Sequence, residues 1–272
     1  MKKIIILAFA LFLNISFAHA TDWNSDAALK RVNTIGSKIL KANNVNQDIT
    51  FKVSAEADIN AYANINKEIY VYKGLLEYVD NDEELAGVIS HEMGHIINGH
   101  CAKQGVLNAT IATIASAITT NETVNAVGQH LTASKISRND EFEADLTGVD
   151  LMSKAGYNPL AMISLLNKIS GNYIDILQTH PSGEKRLLNV YEYVEYNNPN
   201  AIKKGFKSDS YEKSLIVINQ TVEKRKNNER LTKKYVKKQE KLLKKKEKRA
   251  KKMQNKSTIW DGYYTTLQYL AS

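Results

Sequence analysis

Two histidines stand four residues apart in the segment His91-Glu92-Met93-Gly94-His95. Apolar residues before this segment and the caps Asp80-Asn81-Asp82 predict a helix that ends near Gly99. Residues four apart project from one face of a helix, so both imidazoles can bind one metal ion. Glu92 can then act as a general base on a metal-bound water. The alternative is two solvent-facing histidines on an ordinary helix.

A catalytic zinc site takes three protein ligands and keeps one position open. His100 does not have the spacing of a metzincin third histidine, and on a continuous helix it would lie about 180° from His91. We therefore expect His100 to pack or to support a ligand. Glu141 and Asp145 share one face of a predicted helix, so Glu141 can bind zinc while Asp145 accepts a hydrogen bond from a ligand histidine. A solvated acidic helix face is the alternative.

The first twenty residues have the pattern of a signal peptide. Lys2 and Lys3 precede the apolar run Ile4–Leu13, and Ala18-His19-Ala20 offers a cleavage site. The run is short for a membrane span, although an uncleaved N-terminal anchor is the alternative. We expect export and a mature chain that starts at Thr21. The single cysteine, Cys101, excludes an internal disulfide and is expected to be inert if buried.

The hydrophobic pattern predicts strands at Ile49–Ser54, Ile59–Ile65 and Glu68–Tyr72, with a turn at Asn66-Lys67. Helices are predicted at Asp22–Asn44, Gly74–Val79, from the 80–82 cap to Asn98, Asn139–Lys154, Pro159–Ser170, Gly183–Asn197 and, uninterrupted, Asp209–Gln254. The stretch Gly105–Thr132 is rich in Ala, Ile and Thr, and is predicted to be a soluble helix or a mobile hairpin that could open as a lid.

Together, these motifs resemble the gluzincin family of the CAAX prenyl protease, HtpX and BepA. The resemblance rests on H-E-M-G-H, on the later Ser137-Arg138…Glu141…Asp145, and on three further matches: Asn60-Ala61-Tyr62-Ala63, Ile69-Tyr70-Val71-Tyr72-Lys73-Gly74-Leu75-Leu76, and Thr179-His180-Pro181 with Arg186. It spans about Asp22–Asn197. The membrane spans of the prenyl protease and HtpX are missing, so the exported BepA-like branch fits better.

The resemblance implies an α+β fold: a mainly helical zincin-type metalloprotease domain with a small antiparallel β-sheet and a long C-terminal helical arm. The implied division is a signal peptide at 1–20, the peptidase domain at 21–200 and a basic extension at 201–272.

The family's residue roles carry over as follows. One Zn²⁺ would be held by His91, His95 and Glu141, with Glu92 as the base and Asp145 supporting a ligand. His180 would occupy the fourth zinc position and keep the enzyme latent, or would only cap a loop. Arg186 and Asn60 would lie near the substrate or oxyanion; for Arg186 an ion pair on a helix face is the alternative.

The implied function is a periplasmic zinc endopeptidase that hydrolyses misfolded or stalled envelope proteins. An extended substrate would add to Glu68–Tyr72 as an edge strand, through main-chain hydrogen bonds that favour broad specificity. The competing hypothesis is a chaperone-like or envelope-assembly binding protein whose protease activity is largely latent.

The net charge of +8 is distributed unevenly. Thr221–Lys256 contains 17 Lys and Arg against 4 acids, so the rest of the mature chain is mildly acidic. Only Tyr235 offers an aromatic ring there, which argues against nucleic-acid binding. The arm could dock on an anionic membrane surface or an acidic protein partner, or it could be a solvated helix or tail. The apolar end from Ile259 to Leu270 could pack on the body or bind a partner.

Overall fold

The computed structural model describes residues 23–105, 137–170 and 183–254. The strands are β1 (Thr50–Ser54), β2 (Ala61–Ala63) and β3 (Glu68–Tyr72). The helices are α1 (Ser25–Asn43), α2 (Lys73–Tyr78), α3 (Asp82–Ile97), α4 (Arg138–Lys154), α5 (Ala161–Ser170), α6 (Glu184–Asn197), α7 (Pro199–Lys204), α8 (Asp209–Lys226) and α9 (Glu229–Gln254). A further helical stretch covers 100–105. The mainly helical α+β class is confirmed.

Helix α3 is the central element of the core. The side chain of Asn81 accepts a hydrogen bond from the Glu84 N–H at 3.0 Å, and acidic residues fill the first turn, where the helix dipole favours them. Every residue from Glu84 to Ile96 is buried. The histidine motif therefore lies in the interior, which excludes the alternative of two solvent-facing histidines.

The three strands form a mixed sheet in the order β1-β3-β2, so the prediction of an antiparallel sheet is wrong for one pair. β2 pairs antiparallel with β3, but β1 runs parallel to β3. The chain reverses between β1 and β2 and again at the turn before β3, where Lys67 has a φ of 61°. Two reversals leave β1 and β3 pointing the same way.

The central position of β3 also contradicts the prediction that Glu68–Tyr72 is an edge strand. The edges of the sheet are β1 and β2, and β2 makes the more extensive contact with α3. The backbone groups of Asn60 and Asn64 bond to β3, through Tyr72 N–H to Asn60 O at 3.1 Å and Asn64 N–H to Glu68 O at 3.0 Å. In an antiparallel pair, the main-chain groups of successive residues point alternately toward and away from the partner strand. The N–H and C=O of Ala61 therefore point away from β3.

Two glycines let α3 and α4 approach backbone to backbone. A Cβ placed on Gly94 would lie 2.6 Å from the carbonyl oxygen of Ala144, and one on Gly148 would lie 3.0 Å from the backbone nitrogen of His91. Each helix therefore presents a glycine to the main chain of the other. This close crossing places the histidines of α3 beside the acids of α4.

We expect Gly94→Ala to destabilise the protein by about 1–3 kcal/mol, because the helices must separate to accommodate the methyl group. Gly87→Ala is the matched control in the same helix. Its Cβ would meet nothing nearer than 3.7 Å, so a gain of up to about 1 kcal/mol from helix propensity is expected. Urea unfolding of both chelator-treated variants measures the difference, and equal midpoints would contradict the close-crossing argument.

The C-terminal helices pack on the rest of the molecule. In α8, Tyr211, Ile218 and Val222 belong to the hydrophobic core, and the helix lies against α5. The predicted uninterrupted helix over 209–254 is wrong, since α8 ends at Lys226 and α9 begins at Glu229. Asn228 breaks the helix and caps α9, because its side chain accepts a hydrogen bond from the Leu231 N–H at 3.1 Å.

No helix within the described residues is both long enough and apolar enough to span a membrane. Several predictions concern residues outside the described ranges: the signal peptide at 1–20, nearly all of Gly105–Thr132, His180, and the apolar end from Ile259 to Leu270.

Candidate metal centre

His91 and His95 converge as their spacing predicts. Both side chains are buried, and their Nε2 atoms lie 3.1 Å apart. Helix α4 brings Glu141 opposite them, starting from a cap in which Ser137 Oγ accepts a hydrogen bond from the Asp140 N–H at 3.2 Å. Glu141 is fully buried, with one carboxylate oxygen 3.5 Å from His91 Nε2 and the other 3.4 Å from His95 Nε2.

These three side chains fit a zinc ion. Each offers one ligand atom, and the three atoms lie within 4.8 Å of one another. Bonds of about 2.0–2.1 Å in a tetrahedral zinc site separate neighbouring ligand atoms by about 3.3–3.4 Å. The two Nε2 atoms are 3.1 Å apart, and each lies 3.4 or 3.5 Å from a different oxygen of Glu141, so each of these contacts is close to that value. Two imidazoles and a carboxylate are also a donor set that catalytic zinc uses.

Asp145 fixes the orientation of the His91 ring. Its Oδ1 lies 3.0 Å from His91 Nδ1, so the Nδ1–H donates to the carboxylate and Nε2 faces the other ligands. Burial alone would lower the pKa of His91, but hydrogen bonds that its ring donates to the Asp145 and Glu141 carboxylates, and the negative charge of those carboxylates, outweigh burial and raise that pKa to about 10. A site that attracts a proton this strongly also attracts a cation, which would compete for the same nitrogen.

Arg186 of α6 neutralises the acids behind the centre. Its Nε donates to Asp145 Oδ2 at 2.8 Å and its Nη2 to Oδ1 at 2.6 Å, while Nη1 lies 2.7 Å from Glu141 Oε2. Burial raises the pKa of Asp145, but the Arg186 guanidinium more than reverses this and the pKa is lowered. Arg186 is thus in a buried ion pair rather than one on an exposed helix face, and its role at the substrate or oxyanion stays a prediction.

His100 contacts the predicted zinc ligand His95, a contact that helical spacing alone does not predict. The helix breaks at Asn98-Gly99, where Gly99 has a φ of 72°, and the turn returns His100 to the site. His100 Nδ1 lies 3.0 Å from His95 Nδ1. If His95 binds a metal through Nε2, its Nδ1–H donates to His100 Nδ1, and His100 then has its own proton on Nε2. The signal in the sequence was Gly99, a residue that readily adopts positive φ.

The proton on His100 Nε2 has acidic acceptors. Glu143 Oε2 lies 3.4 Å away and Asp140 Oδ1 lies 3.7 Å away. Glu143 in turn pairs with Lys245 of α9. A chain of polar contacts thus leads from the C-terminal helix to the ligand His95.

Glu92 is 1% exposed, on the turn of α3 between the two histidines. Burial lowers the pKa of Arg186, but Asp145, Glu141 and, more weakly, Glu92 outweigh it and raise that pKa, so Glu92 shares the electrostatic environment of the centre. Nearby Cys101 has its thiol pKa raised to about 12 by burial and by Glu92. A neutral buried thiol is a poor nucleophile, as expected for an inert cysteine.

Asn60 immediately precedes the edge strand β2, the strand nearest to α3. This position is compatible with a place beside a bound substrate, but no contact in the structure assigns it a role. His180 lies outside the described residues. Its function as a fourth ligand or switch stays a prediction.

Comparisons with known proteins match this chain to one peptidase family and to several proteins named as metalloproteases. The model of peptidase family M48 matches residues 26–194. The metalloprotease LoiP of Escherichia coli is 31% identical over 181 residues, which are 61% of this chain and 70% of LoiP. The beta-barrel assembly-enhancing protease of Yersinia pestis is 28% identical over 178 residues, covering 57% of this chain and 37% of that protein. The mitochondrial metalloendopeptidase OMA1 of Arabidopsis thaliana is 34% identical over 138 residues, covering 48% and 28% respectively.

Proposed function

This chain belongs to peptidase family M48, and on that premise we propose that it is a zinc-dependent endopeptidase with one Zn²⁺ held by His91, His95 and Glu141. The observation that supports this most directly is the convergence of the three side chains: the two Nε2 atoms are 3.1 Å apart, and each has one of the two Glu141 carboxylate oxygens 3.4 or 3.5 Å away. With three protein ligands, such an ion would keep one position open for water or substrate.

In the proposed mechanism, a zinc ion held by His91, His95 and Glu141 would supply Lewis acidity, which would polarise the peptide carbonyl and make an attacking water more acidic. Glu92 accepts a proton from the attacking water and returns it to the leaving amine nitrogen. Asp145 and Arg186 hold His91 and Glu141 in place, so they act as positioning residues. The buried setting of Glu92 strengthens its electrostatic interaction with the reacting groups.

We place the substrate on β2 rather than on β3. An extended peptide needs a free sheet edge, and β3 is paired on both sides. The N–H and C=O of Ala61 point to the outer side of β2, but Ala61 is 0% exposed, so an added strand must displace the groups that cover it. Recognition of backbone rather than side chains predicts broad specificity for unfolded segments.

The cellular substrates that we propose are misfolded or stalled cell-envelope proteins. The pattern of Lys2, Lys3 and Ile4–Leu13 supports export to the periplasm, and one relative is named for enhancing beta-barrel assembly. The match covers 37% of that relative, so similarity alone does not assign that protein's substrates to this chain. The division into a signal peptide at 1–20, a peptidase domain at 21–200 and an extension at 201–272 is part of the same proposal.

Zinc content and proteolysis test the proposal together. Purified protein starting at Thr21 is expected to hold one zinc per chain and to cleave casein, to lose cleavage on chelation, and to regain it when zinc is returned. Zinc without cleavage would favour the chaperone-like alternative. Absence of bound zinc would contradict the metallopeptidase assignment of these residues.

His100→Ala is expected to weaken zinc binding by about 10–100-fold, the typical cost of removing a residue that orients a ligand. His95 would lose the acceptor for its Nδ1–H. His100→Gln is the matched variant, because its amide oxygen can accept that hydrogen bond and restore part of the affinity. Competition with a chromophoric chelator measures the zinc dissociation constant. An unchanged constant in His100→Ala would show that His100 does not support zinc binding.

A further inference from the structure

Helix α9 has a continuous row of positive charge along one face. Its cations recur at alternating intervals of four and three residues, which keeps them within about 100° of the helix circumference. All are exposed. We call this row the cationic stripe; its members are Arg230, Lys234, Lys237, Lys241, Lys244, Lys248 and Lys251.

The opposite face of α9 is fixed to the body of the protein. Tyr235 OH donates to the carbonyl oxygen of Glu192 at 3.2 Å, and Lys246 Nζ donates to Tyr193 OH at 2.6 Å. Gln239 is fully buried on the same face, and Leu242 packs on the core. These residues share one face of the helix, which lies roughly opposite the cationic stripe around the helix axis. The stripe therefore points away from the protein.

Acidic side chains of the described residues leave the cationic stripe with a large excess of positive charge. Acids of the body pair instead with the flanking Lys238 and Lys245. Within the described part of the chain, none of the seven stripe residues forms an ion pair. Two acids of α9 itself, Glu240 and Glu247, stand four residues before Lys244 and Lys251 and border one edge of the stripe, but they form no ion pair with it in the described structure. The third, Glu229, pairs with Lys233. Cations three and four residues apart repel one another and destabilise a helix, so the stripe opposes the stability of α9.

The shape of this surface favours a flat partner. The row runs for about 31 Å along the outward face of a single helix. It has no aromatic ring on which a nucleic-acid base could stack, because Tyr235 lies on the buried face. It also has no apolar side chain to insert into hydrocarbon. A plane of negative charge complements such a row, and each cation near an anionic membrane strengthens binding about fivefold.

We propose that the cationic stripe docks this protein on the headgroups of an anionic phospholipid bilayer. Binding is electrostatic, reversible and sensitive to salt, since stripe residues reach the surface without entering it. The proposal does not depend on the catalytic one. It would hold the peptidase domain close to a membrane surface.

The test compares two triple variants of the zinc-loaded protein starting at Thr21. Lys237→Gln/Lys241→Gln/Lys244→Gln removes three charges from the stripe. Lys30→Gln/Lys154→Gln/Lys203→Gln removes three exposed charges elsewhere and is the matched control. Co-sedimentation is measured with vesicles of phosphatidylcholine alone and with vesicles containing about 30% phosphatidylglycerol, at about 0.1 M salt.

Wild type and the control are expected to bind the phosphatidylglycerol vesicles and not the neutral ones, and the stripe variant to bind about 10²-fold more weakly. Casein cleavage is expected to be unchanged in both triple variants, which separates this proposal from the catalytic one. Equal loss in the two triple variants would show that only net charge matters and would overturn the proposal. Failure of wild type to bind either vesicle would also overturn it and leave an acidic protein partner as the alternative.

Discussion

Glu92→Gln is expected to reduce peptide hydrolysis by about 10²–10⁴-fold while zinc content and stability stay close to wild type. The amide has nearly the shape of the carboxylate, so the packing around this 1% exposed side chain is retained. It cannot accept a proton from water, which removes general-base catalysis. Initial rates of casein cleavage, with zinc measured on the same samples, separate the chemical role from a structural one.

The matched control is Glu77→Gln, which makes the same chemical change on the exposed side chain of α2. Glu77 is 61% exposed and contacts Lys73 on the surface, so its substitution is expected to leave the rate unchanged. Loss of zinc in Glu92→Gln would mean that the carboxylate supports the metal. Retained hydrolysis would mean that another group takes the proton.

Local features of the chain were predictable because their signals lie within a few residues. The cap at Asn81 and the spacing of His91 and His95 each depend on contacts within one helical turn. The spacing of Glu141 and Asp145 likewise placed both acids on one face of α4. The prediction that this face of α4 meets the histidine face of α3 followed from zinc chemistry, since a catalytic zinc site needs a third protein ligand.

Features that depend on long-range packing were not predictable. Arg186 reaches Asp145 across 41 residues of chain, and nothing near either residue indicates that they meet. The strand order depended on which side of β3 the chain returned to, and no local pattern specifies that. His100 was expected to pack or to support a ligand, but its contact with His95 depends on the turn at Gly99, whose direction the helical spacing does not specify.

Arg186→Met is expected to destabilise the zinc-free protein by about 3–5 kcal/mol. The side chain is 4% exposed and contacts two carboxylates that are 0% and 1% exposed, so its loss leaves uncompensated negative charge in the interior. A zinc ion bound by Glu141 would compensate part of that negative charge. The loss of stability should therefore be smaller in zinc-loaded protein. Urea unfolding with chelator and with excess zinc measures both values.

The exposed pair of Arg31 with Asp82 gives the matched comparison, at an N–O distance of 2.8 Å. Its side chains are 35% and 62% exposed, and Arg31→Met is expected to cost less than about 1 kcal/mol. The two variants remove the same chemical group, so the difference between them isolates burial. If Arg186 served only the substrate or oxyanion, Arg186→Met would lower the rate and leave unfolding unchanged. A large loss of stability that zinc partly reverses would instead identify Arg186 as the residue that holds the ligand carboxylates in place.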